Sequence, residues 1–507
     1  MNEIELGDDF AAHNNLETFM AYSCMTSASE FLSVSFYSSD ITGTTYQPSE
    51  IVLQCKKVFK NIIAYDKFDF DGKKESMYAL RPAFDTVADM IGKGKKVPES
   101  LLEIFAQNPE YSAKLDSLIN AKDKVPFKIF DKKNAEKLFG KNLNISASQL
   151  EKFNLCRFSY FCNYGLNVRE RQRAEINPMQ YGTIVHYILE RFFGEYTKEE
   201  YLSLEEDKLQ KIVCAYLAEY AVKYFGEEQL ESNSFTYRLK TILDNVMHLM
   251  KHIMEELSQS EFFVADCELK IGEDIPSYTI VLPDGHKIAV CGSVDRVDIM
   301  QRADITYLRI IDYKTGTKQF KLSDILYGIN LQMLLYLHSI EASGGDKYGE
   351  IVPAGILYMP ATVPYISSDS LKSIDKLPDE LNKKLKMNGL LLKDTEIIHG
   401  MDKTDVATYI PVKIKAGEPV SSTSLATLAE FGKIFKKVDM LIAEMGKNIY
   451  NGNIEAKPLK GGHDSCEYCP YDSVCAYRQS NPITCFSVDN KTVIEEITNE
   501  INGKEEE

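Results

Sequence analysis

Two aspartates and a lysine, Asp295, Asp312 and Lys314, are the side chains of this sequence best suited to cutting a phosphodiester bond. That reaction needs a divalent cation on oxygen ligands, to activate water and offset charge building on phosphorus, and a second positive group to position the nucleophile. Asp312 and Lys314 stand two apart in the β-rich run TYLRIIDYK, and residues i and i+2 of a strand share a face, so both address one point. An Asp-x-Lys pair standing alone is more often a surface ion pair. Here it has context in residues 292–316, GSVDRVDIMQRADITYLRIIDYKTG: a GxxDRxD phrase on one strand, the apolar approach LRII to Asp312 on the next, and a Thr315-Gly316 exit. Gln332 and Tyr336 follow, one helical turn apart. Asp298 lies three residues from Asp295, so it points to the opposite strand face and is expected to pair with Arg296 or another basic group.

The second constellation is C-x2-C-x5-C, made by Cys466, Cys469 and Cys475 with Arg478 close behind. The chain has eleven cysteines and no export signal, which favours thiol or metal chemistry over a disulfide framework. Three soft ligands in a tight loop need a fourth. His463 would close a zinc knuckle, and Cys156 is the distant alternative, with Cys162 in reserve. The other cysteines read as core or incidental thiols.

The elements that must position these residues follow from pattern. Ser146, with Gln149 three residues on, reads as a capping-box start for a helix leading into Cys156. Helical periodicity runs from Tyr181, through GTIVHYILERFF with His186, to about Ser258. Between Phe262 and Tyr313 the runs become β-rich and form a sheet, with Asp284-Gly285 as a hairpin turn. A helix over 328–339, a strand over 352–359, a helix from about 423 to 446 and a frayed acidic tail complete the expectation. The 507 residues allow two or three domains, and 44% hydrophobic residues can fill their cores. A net charge of −17 argues against coating nucleic acid through bulk electrostatics, so any contact must be local. No run of 18 apolar residues and no basic-then-apolar leader is present, which gives a cytoplasmic expectation. No GxxxxGK[ST] phosphate loop occurs, so ATP hydrolysis by this chain alone is not expected.

The 292–316 segment with Gln332 and Tyr336 resembles the RecB-type branch of the PD-(D/E)XK nucleases. The resemblance implies an α/β, restriction-endonuclease-like core, a mixed central sheet flanked by helices. It makes Asp295 and Asp312 ligands of Mg²⁺ (or Mn²⁺), Lys314 the catalytic lysine, and Gln332 and Tyr336 the QxxxY helix near DNA. His186 matches a metal-ligating histidine that precedes the core. Glu268, in DCELKI, stands where an acidic residue often completes the shell, although strand glutamates are commonly just solvated.

SQLEKFNLCRFSYFCNYGL at 148–166 resembles the opening of the nuclease domain in the AddB family of helicase-nuclease subunits. There a distant cysteine joins the C-terminal three around a [4Fe-4S] cluster. By that likeness Cys156, Cys466, Cys469 and Cys475 would hold such a cluster, as a structural staple. Residues 17–40 resemble a worn helicase motif, with Ser27 where working motors carry an arginine. The implied layout is a smaller α/β helicase-like remnant over 1–141, a nuclease domain over 142–488 with a helical insertion at about 192–260, and an acidic tail over 489–507. An AddA-type helicase subunit would be the partner, single-stranded DNA or a duplex end the substrate, and double-strand break repair by recombination the setting. Arg157, Arg169, Arg171, Arg173, Lys318 and Lys321 are candidate strand guides. Two other readings stay open: a non-catalytic DNA-binding or assembly subunit that keeps the fold, and a stand-alone CRISPR-associated nuclease of RecB type, a class of much shorter proteins.

Overall fold

The β-rich run after Phe262 folds into one side of a mixed sheet. The computed structural model describes residues 10–37, 45–59, 61–62, 79–92, 95–120, 128–129, 131–169, 178–225, 233–316, 319–362, 377–404, 406–421, 423–475, 477 and 482–505. Among them the main sheet has six strands: β1 (Phe263–Ile271), β2 (Gly292–Arg302), β3 (Ile305–Lys314), β4 (Glu350–Pro360), β5 (Asn388–Leu392) and β6 (Leu425–Ala426), side by side in that order. β3 and β4 run parallel and the β1–β2, β2–β3 and β4–β5 pairs antiparallel. Central strands covered on both faces must be apolar almost throughout, and β3 and β4 are buried over most of their length.

The parallel β3–β4 pair needs a crossover, supplied by the helix Gln332–Ser343. It is buried from Met333 to Ile340, and the Glu151 carboxylate accepts the Leu331 N–H at its start. The capping box at Ser146 and Gln149 forms as expected and opens helix α1 (Ala147–Leu155). Helices α2 (Pro178–Glu195) and α3 (Asn233–Ser258), with Glu206–Phe225 between them, make the helical region. The crossover helix is α4, and the long helix expected near 423–446 is α5 (Leu428–Tyr450).

Three expectations change. The Asp284-Gly285 hairpin exists, but in a separate three-stranded sheet of Thr279–Val281, Lys287–Val290 and Asn142–Ile145. The chain leaves it at Cys291, whose N–H donates to Ile145, and enters β2 at Gly292. The acidic tail is helical from Asn490 to Glu505: Asp489 accepts the Lys491 and Thr492 N–H groups, and Val493, Ile497 and Ile501 are buried at four-residue spacing. That apolar stripe outweighs the acidic composition, and Glu500 pairs with buried Lys437 at 2.5 Å. The remnant expected to be α/β shows helices and no strand of a sheet among its described residues.

The chain divides into compact units at 1–125 and 126–507. The first has a small core of Phe84, Val87, Phe105, Tyr111 and Leu115, with Ser27 exposed beyond the helix Phe10–Thr26. In the second, helix Lys132–Phe139 lays Phe139 on Tyr160. Among the described residues no helix is long and apolar enough to cross a membrane.

Between α4 and α5, His338 stacks on Phe435 and its Nε2 lies 3.1 Å from Asp439, which also accepts the Tyr278 hydroxyl. Burial alone would lower this imidazole, but Asp439 and Glu341 outweigh it and push it up to about 9. The folded state therefore holds this proton more tightly than the unfolded chain, whose histidine titrates near 6.5. The stabilisation is complete below that pH and lost as pH rises through the folded value. Urea titrations should show unfolding free energy falling by on the order of 1–2 kcal/mol between pH 6.5 and 9, a slope that His338→Gln flattens.

Candidate metal centre

Where β2 and β3 part, one residue beyond the paired Arg296 and Ile311, the two aspartates face each other. Asp312 is 2% exposed, and Lys314 Nζ lies 2.5 Å from its Oδ2. Asp295 Oδ2 accepts the backbone N–H of Tyr313 at 3.0 Å. Helix α2 delivers His186 to the same spot, with Nε2 3.7 Å from Asp295 Oδ2 and Nδ1 2.9 Å from Glu268 Oε1. Glu268 also accepts the Ser293 hydroxyl at 2.8 Å. Its backbone sits at φ +50°, a left-handed conformation costly for a non-glycine residue in a strand, and such strain tends to persist where a site requires it. Ligand atoms of His186, Glu268 and Asp295 all lie within 4.8 Å of one another, the single such group of three among the described residues.

The charges explain one another. Burial, and then the Asp312 charge, push the Asp295 carboxyl up to about 7. Burial would lower His186, but Glu268, Asp295 and Asp312 outweigh it and raise the imidazole. Glu268 is raised by burial and lowered further by His186 and Ser293, ending below its usual range. Three carboxylates in a half-enclosed space around one imidazole form a nest of negative charge that favours a multivalent cation. Asp312 borders the trio, with one oxygen already held by Lys314.

Tyr336 reaches the edge of this nest. It is 6% exposed, and its hydroxyl lies so close to Gly292 that a Cβ there would collide with it, so only glycine allows the helix this near to β2. Burial, with smaller contributions including Asp295 and Asp312, pushes the phenol up to about 12. Gln332 is half-buried one turn earlier, at the first residue of α4.

On the opposite face, Asp298 pairs as expected, in a larger group than its neighbours in sequence suggest. Arg296 donates to both Asp298 oxygens at 2.6 and 2.7 Å and to Glu256 at 2.9 Å; Arg309 donates to Asp298 at 3.0 Å and to Glu256 at 2.5 Å. All four side chains are fully buried and the set is neutral. Glu256 comes from α3, forty residues before Arg296, and no local signal marks it. This network ties α3 to the two strands that carry Asp295 and Asp312.

The thiols meet elsewhere. Cys156 and Cys162 are buried with Phe158 and Tyr471, and Cys469 and Cys475 pack against them. Cys466 sits beside, near enough to Cys156 and Cys469 for their charges to interact. The loop is fastened by Ser465 Oγ donating to Leu155 O at 3.1 Å and Tyr471 donating to Val168 O at 2.7 Å. A tetrahedral zinc site with Zn–S of about 2.3 Å would set sulfurs about 3.8 Å apart. No three of these thiols come within 4.8 Å of one another, and His463 faces Asp324 at 3.7 Å. Of the proposed strand guides, Arg157 leans on Glu444 and Phe153, Arg169 and Lys321 are exposed, and Arg171, Arg173 and Lys318 lie outside the described residues, as does Arg478 behind the cysteine run.

Residues 144–476 match the model of the PD-(D/E)XK nuclease superfamily. A subunit of an ATP-dependent helicase/deoxyribonuclease from Thermoanaerobacter sp. (strain X514) is 31% identical over 94% of this chain and 43% of its own length. The protein of the same description in Clostridium acetobutylicum is 30% identical over 94% and 43%, and that of Clostridium kluyveri (strain NBRC 12016) 30% over 100% and 46%. The chain thus spans less than half the length of these curated relatives. The match takes in the strands and helices that assemble His186, Glu268, Asp295, Asp312 and Lys314, and the chain belongs to the PD-(D/E)XK nuclease superfamily.

Proposed function

We propose that this chain is the nuclease part of an AddB-type helicase-nuclease subunit and hydrolyses phosphodiester bonds of single-stranded DNA with a divalent cation, Mg²⁺ or Mn²⁺. The observation that carries the reading is the convergence of His186, Glu268 and Asp295 next to the Asp312–Lys314 pair. The imidazole and the three carboxylates would hold the ion, which when bound supplies an activated water and a counter-charge for the phosphate. Lys314 bridges the buried site and the open face: its ammonium holds Asp312 while a quarter of the side chain stays exposed, leaving donors for a phosphate oxygen or the attacking water. Tyr336 keeps its proton and so can donate it, which suits a contact to a phosphate or base, with Gln332 beside it. The buried salt-bridge network fixes β2 and β3 from behind.

Cys156, Cys466, Cys469 and Cys475 would hold a [4Fe-4S] cluster as a staple between the two ends of the nuclease domain. Support comes from Cys156, Cys469 and Cys475 packing in one neighbourhood with Cys466 beside them, since four cysteine thiolates are the ligand set such a cluster takes. The names of the relatives favour a helicase partner, an AddA-type subunit, which would unwind duplex ends and feed strands to this site during break repair in the cytoplasm. Without a motor the chain should cut slowly and with little processivity.

Labelled single-stranded DNA incubated with the chain and Mg²⁺ should be shortened, and EDTA should stop the reaction. Intact DNA under both Mg²⁺ and Mn²⁺, alone and with an AddA-type subunit added, would favour the non-catalytic reading instead.

A further inference from the structure

Five thiols, one more than a four-cornered cluster needs, gather at the cysteine site. Cys162 is 4% exposed and belongs to the same packed group as Cys156, Cys469 and Cys475. Six residues separate it from Cys156, which on a regular helix would turn the two side chains about 120° apart. Two local departures undo that. Cys156 has extended backbone, φ −168° and ψ 119°, breaking the helix at its own position, and Phe161–Gly165 is a π-helical turn, a widening often found at functional sites. Together they bring both sulfurs to the C-terminal loop.

We propose that Cys162 is a reserve ligand, able to replace Cys156 at the same corner and complete a second four-thiolate set with Cys466, Cys469 and Cys475. The inference rests on the cluster reading above. The two thiols differ in surroundings. Cys156 lies among the backbone N–H groups of Phe158, Ser159 and Lys457, which can donate to its sulfur. Cys162 packs against Phe158, Cys469 and Cys475. Cys156, with these N–H groups at its sulfur, holds the corner, and Cys162 takes it when Cys156 is substituted.

The test reconstitutes the full chain with iron and sulfide and reads bound iron, bound sulfide and the visible and electron paramagnetic resonance spectra. C162S should match the wild type. C156S should keep at least roughly half of the iron with altered spectra, as expected when hydrogen bonds to a ligand sulfur change, and C156S/C162S should lose nearly all of it. Circular dichroism of each metal-free variant checks that the fold survives. Complete loss in C156S alone, or in C162S alone, would overturn the reserve role while leaving a cluster in place. A wild type that binds no iron and sulfide would instead overturn the cluster reading itself, and this inference with it.

Discussion

Asp295→Asn is expected to lower DNA cleavage by about a thousandfold or more while making the metal-free protein more stable. The two effects share one cause. Asp295 is nearly enclosed and faces Asp312, so burial and repulsion hold its carboxyl up to about 7, against 3.8 in the open chain. A raised carboxyl penalises the folded state once it ionises: the cost is absent below the unfolded value, grows through the interval, and is complete above about 7. Asparagine removes the charge and keeps an oxygen for the Tyr313 N–H. In EDTA at pH 8 the variant should gain on the order of 1–3 kcal/mol in urea unfolding, shrinking toward zero as pH falls to 4. A variant less stable than wild type at pH 8 would contradict the charge balance described for the site.

Glu256→Ala should be the most destabilising single change outside the apolar core. It removes one carboxylate from a fully buried set of two arginines and two acids, leaving Arg296 and Arg309 with Asp298 alone. Breaking a buried pair by deleting one partner costs about 3–5 kcal/mol, because the remaining charge stays buried without compensation. Arg296 cannot shed its proton to escape: burial works to lower its pKa, but Asp298, Tyr313 and Glu256 hold it well above the ordinary arginine value. Chemical denaturation would show the loss as a shift in midpoint. A change under about 1 kcal/mol would mean that water or another group reaches the arginines.

Much of this was legible in the sequence because its signals are local. Strand alternation put Asp312 and Lys314 on one face and sent Asp298 to the other, and the Ser146–Gln149 spacing marked a helix start. Residues brought together across the fold were harder. Pattern alone makes Glu268 a common strand glutamate; the family resemblance marked it for the metal shell, and its place opposite Asp295, with strained backbone, puts it beside His186. Arg309 sits inside the run LRII, read only as an apolar approach to Asp312, and its buried partner Glu256 comes from α3, far off in sequence. The tail misled through composition: its acids face outward, and the stripe of Val493, Ile497 and Ile501 decides its helix. Gly292 resembled a phrase boundary, whereas its role is steric, making room for Tyr336.

Manganese titration of the full chain, followed by electron paramagnetic resonance, tests the metal centre most directly. Wild-type protein should bind the ion at a site that Glu268→Gln and His186→Ala each weaken at least about tenfold, and neither change should alter the iron content at the cysteines. Equal manganese affinity in wild type and both variants would show that these side chains are not its ligands, and the centre built from His186, Glu268 and Asp295 would have to be abandoned.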